Sequence, residues 1–447
     1  MPKKTTYYLL GVFFIASFFI NCSEDNDSST TQELEVKIDY VKTLGGSKNE
    51  SAQAVINTMD SGYAILGHTQ SMDGDVTNKS NESYDYWLLK FDATNQLQWQ
   101  KTYGGSEDDR GADLIQTSDG GYAVIGKSKS NDLDVSENAG FDDFWISKLD
   151  SSGSISWEYT FGFAGSDAPY SIIQTNDNGY LLSGVLDVSA SNGQGDRNSI
   201  VSRHAGGDYW VIKLNASGIK QWSNYYGGSN TDTAYDAIQT EDDGYIIIGS
   251  SDSNDVDVSN NQGGYDFWVI KISDTGALVW EKSFGGGEID EARAISQSSD
   301  GNYIIVGDTR SNDLDISQNN GAADLWVIKI TPEGNLLWEK TFGGSDFDVG
   351  RSISKTQDNG FLISGSSRST DGNLTTNKGQ NDAWIVKINS SGNLEWQKTV
   401  GGSQIDFFYG AVELNDRTIV AVGDSNSSNE DITENKGFTD LLILKLK

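Results

Sequence analysis

Residues 325–344 read LWVIKITPEGNLLWEKTFGG, and close variants of that phrase fill the chain. FWISKLDSSGSISWEYTFG stands at 144–162, YWVIKLNASGIKQWSNYYGG at 209–228, FWVIKISDTGALVWEKSFGG at 267–286 and AWIVKINSSGNLEWQKTVGG at 383–402. The leading Trp falls at Trp87, Trp145, Trp210, Trp268, Trp326 and Trp384, 58 residues apart except for a step of 65 into Trp210. A second Trp follows at Trp99, Trp157, Trp222, Trp280, Trp338 and Trp396, and the two positions account for all 12. So regular a recurrence marks core rather than a ligand groove. A fixed long period is the mark of a repeat architecture.

Each unit holds four short strand-like runs. In the second they are ADLIQT, YAVIGKS, DFWISKLD and SISWEYTF, separated by SDGG, a long Asn/Asp/Gly stretch, and SSG. Alternation with β-branched and aromatic enrichment predicts strands, and the separators predict turns. Four strands per unit predict the blade of a β-propeller. Gly45, Gly104, Gly162, Gly227, Gly285, Gly343 and Gly401 open a Gly-Gly turn or its variant, which counts seven units. The chain ends in DLLILKLK, with Leu442 in the Trp position, one strand short. The missing strand is VKIDYVKTLGG from Val36, with Tyr40 in the Trp position. The expected fold is therefore all-β: a seven-bladed propeller whose closing blade takes three carboxyl-terminal strands and one amino-terminal strand. An open solenoid gains nothing from complementary half-units, whereas a ring loses its exposed sheet edges.

The units resemble the bacterial β-propeller repeat (SBBP-like) of secreted and surface proteins, with its GGS…D…A…I…T…DGG…G…W…KL…G pattern, over nearly the whole chain after Val36. The resemblance implies a propeller and an extracytoplasmic location, and no activity. The D/N-x-x-G-x-x-x-W stretch also resembles the tryptophan-docking turn of quinoprotein and outer-membrane-assembly propellers.

At 447 residues, length alone suggests about three domains, and the repeat replaces them with one ring. Lys3 and Lys4, an apolar run from Tyr7 to Ile20, and Cys22 outline a secretory signal. Phe19-Ile20-Asn21-Cys22 resembles the box of bacterial lipoproteins, whose Cys is acylated. Ser23-Glu24-Asp25-Asn26-Asp27 resembles the acidic export tag of Bacteroidota-type surface lipoproteins. The expected organisation is a signal at 1–21, a lipid-anchored polar tether at 22–35 and the propeller at 36–447. Outer-membrane anchoring through Cys22 and exposure at the cell surface follow as expectations. With one Cys and two His, a disulfide framework, a Cys-based zinc site and a His-rich metal site are excluded. Acidic residues outnumber basic ones 65 to 32, and a charge of −33 excludes nucleic acid as a partner.

The loops sort by face. Those from strand one to two and three to four are tight; those from two to three and from four to the next blade are longer and share the other face. Binding lives on such loops. The two-to-three loops repeat oxygen-bearing residues at positions 1, 3, 5, 7 and 12: Asp132, Asp134, Ser136, Asn138 and Asp143; Asp255, Asp257, Ser259, Asn261 and Asp266; Asp313, Asp315, Ser317, Asn319 and Asp324; Asp371, Asn373, Thr375, Asn377 and Asp382; and Asn429, Asp431, Thr433, Asn435 and Asp440. Two readings stay open: calcium ligation by oxygen at related spacing, or turn chemistry, in which Asp, Asn and Ser cap their own backbone. The final Asp also stands at Asp85 and Asp208, where the rest of the pattern fails, which favours turns. The acidic positions after GGS (Glu50, Asp109, Asp167, Asp232, Asp290, Asp348 and Asp406) are expected to ring the central opening as a ligand-binding or solvated rim. An insertion near 193–205 adds Arg197, Arg203 and His204, a basic spot on an acidic face.

Catalysis usually needs one asymmetric constellation. Here most acids recur from blade to blade, His68 has no evident partner, and no G-x-S-x-G or H-E-x-x-H motif occurs. The expected function is a non-catalytic, surface-tethered monomeric ring that presents its acidic loop face to a glycan or protein partner. The alternative is a glycan-active hydrolase or lyase working through two carboxylates, whose pairing is spatial.

Overall fold

A computed structural model describes residues 1–5, 36–195 and 204–447. The chain divides into two compact units, Met1–Glu35 and Val36–Lys447. The expected signal, tether and Cys22 lie outside the described residues, apart from residues 1–5.

Val36–Lys447 is a seven-bladed β-propeller. Every blade is a four-stranded antiparallel sheet, and in blades one to six the strands lie in chain order. Blades one to six span Glu50–Tyr103, Asp109–Phe161, Ala168–Tyr226, Asp232–Phe284, Asp290–Phe342 and Asp348–Val400. Blade seven joins three strands of Asp406–Leu446 to Ile38–Leu44, which pairs with Asp440–Leu446 as the outermost strand. Strand one of each blade packs against strand one of the next, and the strand from Glu50 packs against the strand from Asp406. The ring is closed.

Strand three is buried throughout because both its faces meet apolar neighbours. Trp87, Trp145, Trp210, Trp268, Trp326 and Trp384 are at most 2% exposed. Each meets the residue that precedes the equivalent Trp in the blade before. Tyr86 lies 4.6 Å from Trp145, Phe144 4.9 Å from Trp210, Tyr209 4.5 Å from Trp268 and Phe267 4.5 Å from Trp326, between ring centroids. Such tilted aromatic pairs contribute about 0.5–1.5 kcal/mol beyond their buried area.

The second Trp of each unit is only half-buried, which corrects the expectation that all 12 lie in the core. It docks on the strand three-to-four turn of the next blade. A Cβ on Gly153, Gly276 or Gly334 would stand within 3.1 Å of the rings of Trp99, Trp222 or Trp280. These glycines have φ between 76° and 79°, the left-handed region that glycine tolerates. The sequence resemblance to a tryptophan-docking turn therefore corresponds to a physical contact. Blade one has Asn95 at this turn, at φ 65°, and the ring that blade seven offers to blade one is Tyr40. Its hydroxyl lies 3.3 Å from that of Tyr63. Where the turn keeps a Cβ, the docking ring is the smaller one.

A lysine crosses each of blades one to six to pin the strand one-to-two turn. Lys90–Asp60, Lys148–Asp119, Lys213–Asp177, Lys329–Asp300 and Lys387–Asp358 pair at 2.7–3.1 Å, with the lysine side chains at most 8% exposed. Two such contacts support a direct test. Trp268→Ala should destabilise the ring by about 3–5 kcal/mol. Gly334→Ala should cost about 1 kcal/mol or more, because it adds left-handed strain beneath Trp280. Urea unfolding followed by tryptophan fluorescence measures both.

Candidate functional site

The long loops fold by turn chemistry. Position 1 accepts from the preceding Gly-Gly turn: Asp132 from Ser106 N, Asp255 from Ser229 N, Asp313 from Gly287 N and Asp371 from Ser345 N. Position 3 accepts from that turn's first glycine: Asp134 from Gly104 N, Asp257 from Gly227 N and Asp315 from Gly285 N, at 3.2–3.3 Å. Position 12 accepts four residues back: Asp143 from Ala139 N, Asp266 from Gln262 N, Asp324 from Asn320 N and Asp382 from Lys378 N. The oxygens thus turn to separate backbone donors. Among the described residues no three Asp, Glu, His or Cys side chains come together as a metal site. The calcium spacing read in the sequence is not assembled as a calcium loop.

The acidic positions after GGS form no rim. Glu50, Asp109, Asp167, Asp232, Asp290, Asp348 and Asp406 are at most 1% exposed. Each accepts from the second residue of its own Gly-Gly turn, as Asp290 does from Gly286 N at 2.8 Å and Asp109 from Gly105 N at 2.7 Å. Two hydroxyls complete the shell: Asp290 also accepts from Thr309 and Ser311. They hold the blade's corner.

Beside them stands the position 12 carboxylate. A Cβ on Gly285 would come within 2.5 Å of Asp266 Oδ1 and 2.8 Å of Asp290 Oδ2, so a glycine is all that separates the two acids. Oδ1 of Asp85, Asp143, Asp266, Asp324 and Asp382 is buried without a hydrogen-bond partner. Burial, with neighbouring carboxylates adding to it, pushes Asp85 and Asp266 up to about 7 and Asp143, Asp324 and Asp382 up to about 6. Blades one and three, whose loops break the pattern, use a nitrogen-bearing side chain instead. Lys79 Nζ lies 3.1 Å from Asp85, and His204 Nδ1 lies 2.5 Å from Asp208. His204 is also edge-on to Tyr225 at 5.0 Å. It is thus a buried structural residue rather than a basic surface spot. Arg197 and Arg203 lie outside the described residues.

The residues that do face the opening were missed in the sequence. Every strand one carries a β-bulge at the same place, between Ala52 and Ala54, Gly111 and Asp113, Pro169 and Ser171, Ala234 and Asp236, Ala292 and Ala294, Gly350 and Ser352, and Phe408 and Gly410. A bulge leaves one residue out of the ladder and re-aims its side chain. The seven bulged residues are Gln53, Ala112, Tyr170, Tyr235, Arg293, Arg351 and Tyr409, and all line a central cavity of about 210 Å³. The signal was present: these are positions at which the units disagree. The next residue is Asp in two blades. Asp113 accepts from Leu114 N and, across the blade boundary, Ile172 N. Asp236 accepts from Ala237 N, Ile295 N and the Ser171 hydroxyl. Both carboxylates are raised by burial and both latch neighbouring blades.

On the long-loop side the opening widens between blades five, six and seven. A cavity of about 280 Å³ is lined there by Asp308, Arg310, Phe347, Arg351, Arg368 and Phe407, among others. Arg293 pairs with Glu291 at 2.9 Å and sits 4.2 Å from the Tyr235 ring centroid. Asp308, opposite Glu291 on the adjacent strand, is 3% exposed, and burial lifts it to about 6. His68 lines neither cavity; burial and Arg110 lower it to about 4, so it is neutral at neutral pH.

The buried acids set a pH dependence. A carboxyl raised from an ordinary value of about 4 binds its proton more tightly folded than unfolded, so stability is full below pH 4 and is lost as pH rises through 6–7. The lysine-paired acids act oppositely: Lys271 and Thr240 lower Asp242 to about 2, and that contribution is lost as pH falls from 4 to 2. Melting temperature should therefore peak near pH 4–5 and decline towards pH 8. Asp266→Asn, which lets an amide donate towards Asp290, should reduce that decline in a melting series against pH.

No family model matches the chain. The regulatory protein FlaEY of Caulobacter vibrioides is 20% identical over 404 residues, 81% of this chain and 41% of that protein. The chain thus spans well under half the length of this curated relative. Among solved structures, a protein of unknown function from Bacteroides caccae aligns over 76% of this chain and 97% of its own at 10% identity and TM-score 0.41. Sqt1 from Chaetomium thermophilum aligns over 92% and 99% at 10% identity and TM-score 0.47. A gluconolactonase from Xanthomonas campestris aligns over 75% and 96% at 10% identity and TM-score 0.37.

Proposed function

We propose that this protein is a non-catalytic binding propeller, held at the outer membrane surface by a lipid on Cys22, which takes a glycan or protein ligand at its channel mouth. One observation carries the binding reading. The seven bulged residues, which are Gln, Ala, Tyr or Arg from blade to blade, stand outside the strand ladder and converge on one central cavity. A position that varies inside a fixed frame serves recognition rather than folding. The site therefore shifts from the acidic loop face at large to the opening at its centre. The tether reading rests on the basic start, the apolar run and the acidic stretch after Cys22. Two acyl chains hold such a domain at a bilayer, each buried CH₂ contributing about 0.8 kcal/mol.

A second reading has one observation in its favour. Glu291 and Asp308 face each other across one hairpin at the mouth, and Asp308 has the raised pKa of a general acid. Asp113 and Asp236 support no such role, because their oxygens are engaged by backbone N–H groups.

Two measurements separate these readings. Cys22→Ser should move the protein from the membrane to the soluble fraction; unchanged fractionation refutes the lipid anchor. A polysaccharide hydrolase and lyase screen should show no turnover. Turnover that Asp308→Asn abolishes would establish the enzyme instead.

A further inference from the structure

We infer that the channel mouth between blades five and six binds the carboxylate of a sugar acid, with Arg351 as its charge partner. This rests on the reading of the ring as a binding module and names the ligand class for that site.

The chain has eight arginines and a net charge of −33, yet Arg293, Arg310, Arg351 and Arg368 gather in two adjacent blades. Repetition does not explain them. The bulge position holds Arg only in blades five and six, and the position after strand two, Gln70, Lys129, Val188, Asp252 and Asn426 elsewhere, holds Arg only in the same two blades. Arg351 lines both cavities and so joins the channel to its mouth. It makes no ion pair or hydrogen bond among the described residues; burial and the like charge of Arg293 lower its pKa, against the opposing pull of Asp308, Tyr409 and Glu291. A half-buried guanidinium with no hydrogen-bonded partner is held at a cost that an incoming anion would offset.

The neighbours are pre-set for that anion. Arg368 Nε donates to Asn381 Oδ1 at 2.8 Å, which fixes its fork. Arg310 and Arg368 both lie against the Phe347 ring, 5.8 and 5.3 Å from its centroid. A planar guanidinium suits a carboxylate, which it can hold by two parallel bonds. The cavity also carries Asp308 and Glu291, which would repel a dianion such as phosphate but accept hydroxyl hydrogens. Phe347 and Phe407 supply apolar faces for a ring. A single carboxylate on a hydroxylated ring of monosaccharide size matches all four features.

The test is calorimetric titration of the full-length chain with galacturonate and glucuronate oligosaccharides, with neutral galactose and glucose oligosaccharides, and with sodium phosphate. The uronates should bind and the neutral sugars should not. Arg351→Gln should weaken uronate binding roughly 10- to 100-fold, the loss of a charge-assisted pair. Arg351→Lys should restore part of it, and both variants should melt as the wild type does. Phosphate binding as tight as uronate would overturn the sugar-acid assignment. Equal uronate binding by wild type and Arg351→Gln would overturn the site and leave the binding-module reading standing. No binding of any probe overturns this inference; crosslinking of the tethered protein to a partner in cells then decides the broader reading by itself.

Discussion

The ring depends on indole placed against its neighbour twice in each of blades one to six. One Trp closes the seam between strands three of adjacent blades, and the other reaches forward to cover a glycine turn. The first contact excludes water from the interior of the ring, and the second fixes the angle at which the next blade meets it. The first reaches back to the blade before and the second forward to the blade after, so each blade is held from both sides. Closure by Ile38–Leu44 then completes blade seven, joining the amino-terminal strand to the carboxyl-terminal ones through a ladder of backbone hydrogen bonds.

The acidity of the chain takes on a local meaning in this frame. Many carboxylates are engaged inside it, on Gly-Gly turns, on loop backbones or on buried lysines. Aspartate suits these places because a short carboxylate accepts two N–H groups that a tight turn leaves unpaired. Of the two readings of the oxygen spacing, turn chemistry is the one these hydrogen bonds express.

Fold and site were unequally legible for the same reason. Apolar alternation, Trp spacing and the half-unit at each end follow directly from burial, so they repeat, and repetition is visible in one sequence. The GGS acids also repeat, and that repetition marked them as structural; reading them as a rim placed them at the opening three residues too early. Arg351 and Tyr235 could not be placed because their direction depends on a bulge, and a bulge leaves no composition of its own. Lys79 and His204 likewise looked like breaks in a pattern, whereas each sets a side-chain nitrogen against the equivalent carboxylate. The exchange of Tyr40 and Asn95 for Trp and Gly is legible only once it is known which blade receives which ring.

The bulges separate two requirements that most binding sites must satisfy with the same atoms. A bulged residue stands outside the strand ladder and projects into open space, so exchanging it leaves the blade's hydrogen bonds and seams as they were. Seven such places, one per blade, converge on a single opening. The molecule behaves as a lock with seven exchangeable pins in an unchanging barrel: what it grips can be rewritten residue by residue, while the wall that does the gripping is inherited intact.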